Sequence, residues 1–194
     1  MRTLGRLLLC CLFPLAAWGG DAYRGADSNL LVQVRADFEA ATESAAATTA
    51  LMELLDQRLP SQETEWPPVF LAYRAALEGL AGKHSPRPWQ KFSRTRAGLT
   101  RFEGLVEAHP ESTEILLLRF SFCSQLPDFF DMQEQAARDR RALIQLLASP
   151  RDPMVDDTYR RDSMRWILRN GKPTPAEQKQ LEEMLAGKTR EGER

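Results

Sequence analysis

HPESTEILLLRFSFCSQLPD, residues 109–128, is the stretch whose reading decides the fold. His109 precedes a proline, and the residue before proline is disfavoured in the α region, so an incoming helix ends there. Ser112 or a neighbour can cap the next helix. Ile115, Leu116, Leu117, Leu118, Phe120 and Phe122 then cover nearly every direction around that helix. A short helix that is apolar all round belongs in the middle of a protein. Pro127 stops it, and Asp128 is the expected cap of the following helix, which runs to about Ala148.

Outward from this centre the apolar residues recur at three and four, and no segment alternates as a strand does. Upstream, Asp27 or Ser28 can cap a helix whose stripe is Leu30, Leu31, Val34, Phe38 and Ala41. The small and β-branched run SAAATT, residues 44–49, marks a joint, and the stripe continues to Pro60. Pro68 suits the first turn of a helix that runs to about Gly82. Trp89, Phe92, Leu99, Phe102 and Val106 form the expected apolar stripe of the next. Downstream, Asp152-Pro153 reads as a cap and first turn, and Thr174-Pro175-Ala176-Glu177 as a capping box with proline in the first turn. The last helix is expected to end near Gly187, with a charged tail, Lys188 to Arg194. The fold class is therefore all-α, with seven or eight helices in stacked antiparallel hairpins. Gly98, Phe102, Leu105 and Pro110 fit the second half of a tetratricopeptide repeat, so the hairpins read as degenerate, tetratricopeptide-like units.

The chain has 194 residues, 26 basic and 27 acidic, with 43% apolar residues. That suffices for one packed domain and is too apolar for a disordered chain. The charge balance argues against a nucleic-acid partner, which calls for a strong basic excess. Arg2 and Arg6, the apolar run Leu7 to Ala17, and Ala17-Trp18-Gly19 have the order of a secretory signal peptide. The run is too short to span a bilayer, and a cut after Gly19 leaves 175 residues with a net charge of −3. The expected location is the periplasm or outside the cell, with no transmembrane segment in the mature chain. One cysteine, Cys123, remains among apolar neighbours. No intramolecular disulfide can form, and the thiol reads as a small buried apolar group.

Catalytic signatures are scarce. The chain has two histidines, His84 and His109. It has no HExxH, CxxC, glycine-rich phosphate loop or GxSxG, and no segment clusters three zinc ligands. The sequence therefore implies no cofactor and no metal. From Lys83 to Arg101 there is no acid, and Arg87, Lys91, Arg94 and Arg101 fall on one helical face, opposite Trp89, Phe92 and Phe102. That stripe is either a solvated face or a surface for an anionic partner. Arg119 interrupts the run ILLLRFSF. An unpaired buried guanidinium costs several kcal/mol, so it needs a carboxylate. Glu114, five residues earlier, is on another face, which leaves Asp131 or Asp139 of the next helix, or a ligand in a groove. Tyr73, Lys83 and His84 could line such a groove, and a Lys-His pair in a pocket can act as acid or base.

The stretches AYRAALEGLAGKHSPRPWQKF and LTRFEGLVEAHPESTEILLLRFSFCSQLPDFF resemble a group of exported helical bacterial proteins with no assigned activity. The positions that match are Tyr73, Lys83, His84, Pro88, Lys91, Pro110, Glu114, Ile115, Arg119, Pro127, Phe129 and Asp139. They span about 75 residues in the middle of the chain. His109 stands where the group has Asp, and Leu116 where it has Arg. The resemblance implies export and a helical fold and marks Tyr73, Lys83, His84, Lys91, Glu114, Arg119 and Asp139 as polar residues of interest. With Arg94 these are the candidate binding residues. The expected function is a non-enzymatic protein-interaction or scaffold module, engaging an envelope protein or an anionic envelope component. One alternative is a small-molecule binder or enzyme with a groove around Tyr73, His84 and Arg119. Another is a structural subunit whose apolar surface is covered by a second copy.

Overall fold

The computed structural model describes residues 21–149, 152 and 154–191, with side chains through residue 187. The expected signal peptide lies outside the described residues. The chain is all-helical, and among the described residues there are eight α-helices and no strand. They are α1 (Ser28–Glu43), α2 (Ala45–Arg58), α3 (Pro68–His84), α4 (Pro88–Ala108), α5 (Thr113–Ser124), α6 (Gln133–Ala148), α7 (Asp157–Asn170) and α8 (Pro175–Glu191). Three 3-10 turns, Asp21–Tyr23, Glu63–Glu65 and Asp128–Phe130, sit between them or before α1. No helix among the described residues is long and apolar enough to cross a membrane.

The boundaries follow local chemistry. Asp27 caps α1, accepting from the Asn29 and Leu30 amides. Ser44 is extended (φ −135°), ends α1 and caps α2 by accepting from the Ala47 amide, which makes the expected joint a break. Ser112 caps α5 through the Ile115 amide. At α8, Thr174 accepts from the Glu177 amide and donates its own amide to Glu177, the reciprocal box read from the sequence. Two expected caps do not cap. Asp128 opens a 3-10 turn that ends in Asp131 with φ 56°, and α6 starts only at Gln133. Asp152 precedes a turn, and Asp156 caps α7 instead, through the Tyr159 amide. α8 runs on to Glu191, four residues into the expected tail.

Consecutive helices pack as the pairs α1–α2, α3–α4, α5–α6 and α7–α8, and α3 also packs on α2 and α5. Two cores result. One joins the N-terminal turn and α1–α3 with Phe102, Ile115 and Leu118. The other joins Leu116, Phe120 and Cys123 with α6, α7 and α8. α5 thus gives different faces to different cores, and that is why its sequence is apolar all round. The α3–α4 pair is held close by glycines. A Cβ on Gly98 would stand 2.8 Å from the Ala75 carbonyl oxygen and 3.3 Å from Phe122 Cζ.

The lengths of α4 and α5 set the surface. α4 has 21 residues and α5 has 12, so they are about 31 and 18 Å long. α5 runs back along α4 from a short loop, with Phe122 near its end against Gly98. It stops short of the first turns of α4. Phe102 is fully buried, whereas Trp89 is 67% and Phe92 44% exposed. The expected apolar stripe of α4 is therefore buried only in its C-terminal half.

Replacing Gly98 by alanine pushes α3 and α4 apart. We expect a loss of about 1–3 kcal/mol of stability in urea unfolding, whereas Gly104→Ala, where a Cβ meets nothing within 4 Å, should be neutral or stabilising.

Candidate functional site

The most concentrated polar chemistry surrounds Glu114, in the first turn of α5. Its carboxylate is fully buried. Arg35 on α1 holds both of its oxygens, Nε donating to Oε1 at 2.8 Å and Nη2 to Oε2 at 2.6 Å. The Tyr73 hydroxyl on α3 donates to Oε1 at 2.7 Å. The Tyr23 hydroxyl lies 2.9 Å from Oε2 and 3.1 Å from Asp152 Oδ2, so one proton is shared between two carboxylates. Arg35 also donates to the Met154 carbonyl at 3.1 Å, and its guanidinium lies 4.4 Å from the centre of the Tyr159 ring. The start of α5 adds the favourable end of a helix dipole for an anion.

Burial first, then the negative charge of Glu114, pushes the hydroxyls of Tyr23, Tyr73 and Tyr159 far above the usual phenol range. They therefore stay protonated, and those of Tyr23 and Tyr73 serve as donors to Glu114. The Asp152 carboxyl is raised, chiefly by burial and further by the charge on Glu114, against the lowering effect of the Met154 amide, Tyr23 and Arg35. The hydroxyls of Tyr23 and Tyr73 and the Nε and Nη2 of Arg35 all donate to carboxylates or a carbonyl of the chain. The cluster ties distant segments together.

The other expected residues lie elsewhere. Arg119 pairs with Asp139 through two bonds, Nε to Oδ2 at 2.9 Å and Nη2 to Oδ1 at 2.6 Å, and Gln135 donates to the same Oδ1 at 2.8 Å. Of the two carboxylates read from the sequence, Asp139 is the partner. Asp131 is exposed in its left-handed turn. Lys83 Nζ donates to the Thr42 carbonyl at 2.6 Å, and His84 Nε2 lies 3.2 Å from the Ala41 carbonyl, which can only accept. Both side chains thus close the C-terminal end of α1, where carbonyls lack helical partners. Tyr73, His84 and Arg119 consequently engage three different partners and do not line one groove.

Lys91 and Arg94 are exposed, and α4 crosses α3 closely at these positions: a Cβ on Gly82 would stand 3.1 Å from the Lys91 carbonyl oxygen and 3.1 Å from the Arg94 Cβ. The opposite side of α4 carries Trp89, Phe92 and Arg96. Arg96 stacks on Phe92 at 4.7 Å, Phe92 on Phe130 at 5.5 Å, and Phe130 meets Phe129 at 4.7 Å. Phe129 is 75% exposed. A cleft of about 180 Å³ between α5, α6 and the α7–α8 connection contains Cys123 and Arg140. Arg140 is engaged by Glu177 at 2.9 Å and the Gly171 carbonyl at 3.2 Å. Burial pushes the Cys123 thiol up to about 12, so it is no nucleophile at neutral pH.

Sequence reasoning missed Tyr23, Arg35 and Asp152. Arg35 had a signal: it follows Leu31 by four and precedes Phe38 by three, a charge inside an apolar stripe.

Glu114→Gln removes the charge that Arg35 needs, and we expect urea unfolding to show a loss of about 3–5 kcal/mol, against little for Glu103→Gln at an exposed site. For Asp152 the folded carboxyl binds its proton more tightly than the unfolded one. Its contribution therefore falls as pH rises from the ordinary aspartate range through the raised folded value. Asp152→Asn should be more stable than the parent at neutral pH, with the difference vanishing in acid. A difference independent of pH would contradict this assignment.

No family model, no curated protein and no solved structure matches the chain.

Proposed function

We propose that the protein is a non-enzymatic protein-interaction and scaffold module of the cell envelope. One observation carries the reading: Phe92 and Phe129, 44% and 75% exposed, are joined through Phe130 by ring contacts, and Trp89, 67% exposed, precedes Phe92 by one turn of α4. Aromatic side chains beside an arginine are the groups that dominate binding energy at protein interfaces. Folding normally buries such surface, and a contiguous exposed patch marks an interaction site. The polar residues that could have carried chemistry are spent inside the fold, on Glu114, Asp139 and the end of α1. The envelope location rests on the N-terminal pattern of charge, apolar run and small residues.

The test is site-specific photo-crosslinking in the protein's own envelope fraction, with the crosslinker placed at position 89, 129 or 32. Val32 is 63% exposed on α1, a helix that packs on α2 and α3, and serves as the control. Positions 89 and 129 should join a protein, a further copy of the chain included, and position 32 should not. Equal yields at all three positions would remove the reading.

A further inference from the structure

The exposed surface between α4 and the turn Asp128–Phe130 has an order along its length. Arg96 stands at one end, stacked on Phe92, and the ring contacts run from Phe92 through Phe130 to Phe129. Asp128 and Asp131, both exposed, flank the two phenylalanines in the chain. Trp89 lies one turn before Phe92, on the same side of α4. Asp128 adjoins Phe129, the ring farthest along these contacts from Arg96, so a cation stands beside the first ring and a carboxylate, which also accepts from Gln133 at 2.9 Å, beside the last; Asp131 adjoins Phe130 between them.

We propose that this strip binds a second copy of the same chain about a two-fold axis. The inference rests on the interaction reading above and names its partner. A two-fold axis lays a strip on its own reverse. Arg96 of each copy then meets the carboxylate end of the other, and the aromatic rings cover one another. The strip's own polarity selects this occupant. An anionic bilayer presents one sign of charge and would confront Asp128, Asp131 and the exposed Glu134. A uniformly acidic protein would satisfy Arg96 and repel the same carboxylates.

The area is adequate. At 150–250 Å² per aromatic side chain, the three exposures leave roughly 400 Å² of ring surface per copy. That is about half of what one side of a standard interface buries, and the flanking charged side chains supply the rest.

Sedimentation velocity over a dilution series tests this directly. The protein should pass from dimer to monomer as it is diluted. Arg96→Glu and Asp128→Arg each place like charges together at both ends of the paired strips, and each should raise the dissociation constant by roughly tenfold or more. An equimolar mixture of the two variants should recover the dimer, because the mixed pair has opposite charges at both ends. Both sites are exposed, so the helical circular dichroism of each variant should be unchanged.

A protein that is monomeric at every concentration overturns the proposal. So does a dimer that neither charge variant nor Phe129→Ser weakens, or a monomer that binds vesicles of anionic phospholipid through Trp89. A monomer whose position 89 crosslinks a different protein would sink self-association alone and leave the interaction reading standing. A monomer with no crosslink there would remove both.

Discussion

A buried carboxylate sets the terms for much of this fold. Taking an ionised group out of water is expensive, and Glu114 has no exposed surface to soften the cost. What offsets it comes from three segments: Tyr23 in the N-terminal turn, Arg35 on α1 and Tyr73 on α3. Through shared partners the same cluster reaches Asp152, Met154 and Tyr159, on the far side of α6 in the chain. Among the described residues Cys123 is the one cysteine, so no disulfide between described residues fastens these segments. A charge that is costly alone and satisfied only when all its donors arrive is a substitute fastener, and it specifies one arrangement. Removing Arg35 leaves the buried carboxylate without its countercharge, and removing either tyrosine takes one of the two donors from one of its oxygens, so the segments are coupled.

The apolar architecture is built on the same helix. α5 carries Glu114, Ile115 and Leu118 toward the N-terminal core, and Leu116, Phe120 and Cys123 toward the C-terminal one. Its 12 residues thus serve two cores. The second ion pair, Arg119 with Asp139, joins α5 to α6 with side chains only 13% and 3% exposed. One short helix therefore places an anion among the N-terminal elements and a cation toward α6. Each is paired across an interface that apolar contacts alone would leave free to slide.

The all-helical class was legible because it depends on period and punctuation. Ser112, Pro127 and the Thr174 box are local signals and act locally. Pairing was legible only where the sequence offered few partners: Arg119 amid leucines demanded a carboxylate, and two were in reach. Glu114 was harder. A glutamate in the first turn of a helix is ordinary, and nothing nearby in the sequence shows that Tyr23 and Arg35 converge on it from 91 and 79 residues away. Asp152 was misread for a related reason. An Asp-Pro pair makes a plausible cap, but this carboxylate is used by the Met154 amide and Tyr23. Trp89 and Phe92 fell on the right stripe of α4, and periodicity alone cannot say where the neighbouring helix ends.

That last point explains why the surface is what it is. α3 packs on one side of α4 through Gly98 and Ala75, and α5 covers a second side only as far as Phe122. Among the described residues, the turn Asp128–Phe130 meets the aromatic face of the first turns of α4. That turn supplies Phe130 to stack on Phe92 and leaves Phe129 pointing outward, 75% exposed. A longer α5 or a shorter α4 would have buried these rings. The cations of the same region have separate partners: Lys83 donates to the Thr42 carbonyl, Arg101 pairs with Glu63 and Glu78, and Arg96 lies on the ring of Phe92. Within the acid-free run from Lys83 to Arg101, Lys83 and Arg101 are thus engaged inside the fold, whereas Lys91 and Arg94 are exposed. Part of it completes helix ends, and the part beside the uncovered rings gives the exposed strip its positive end.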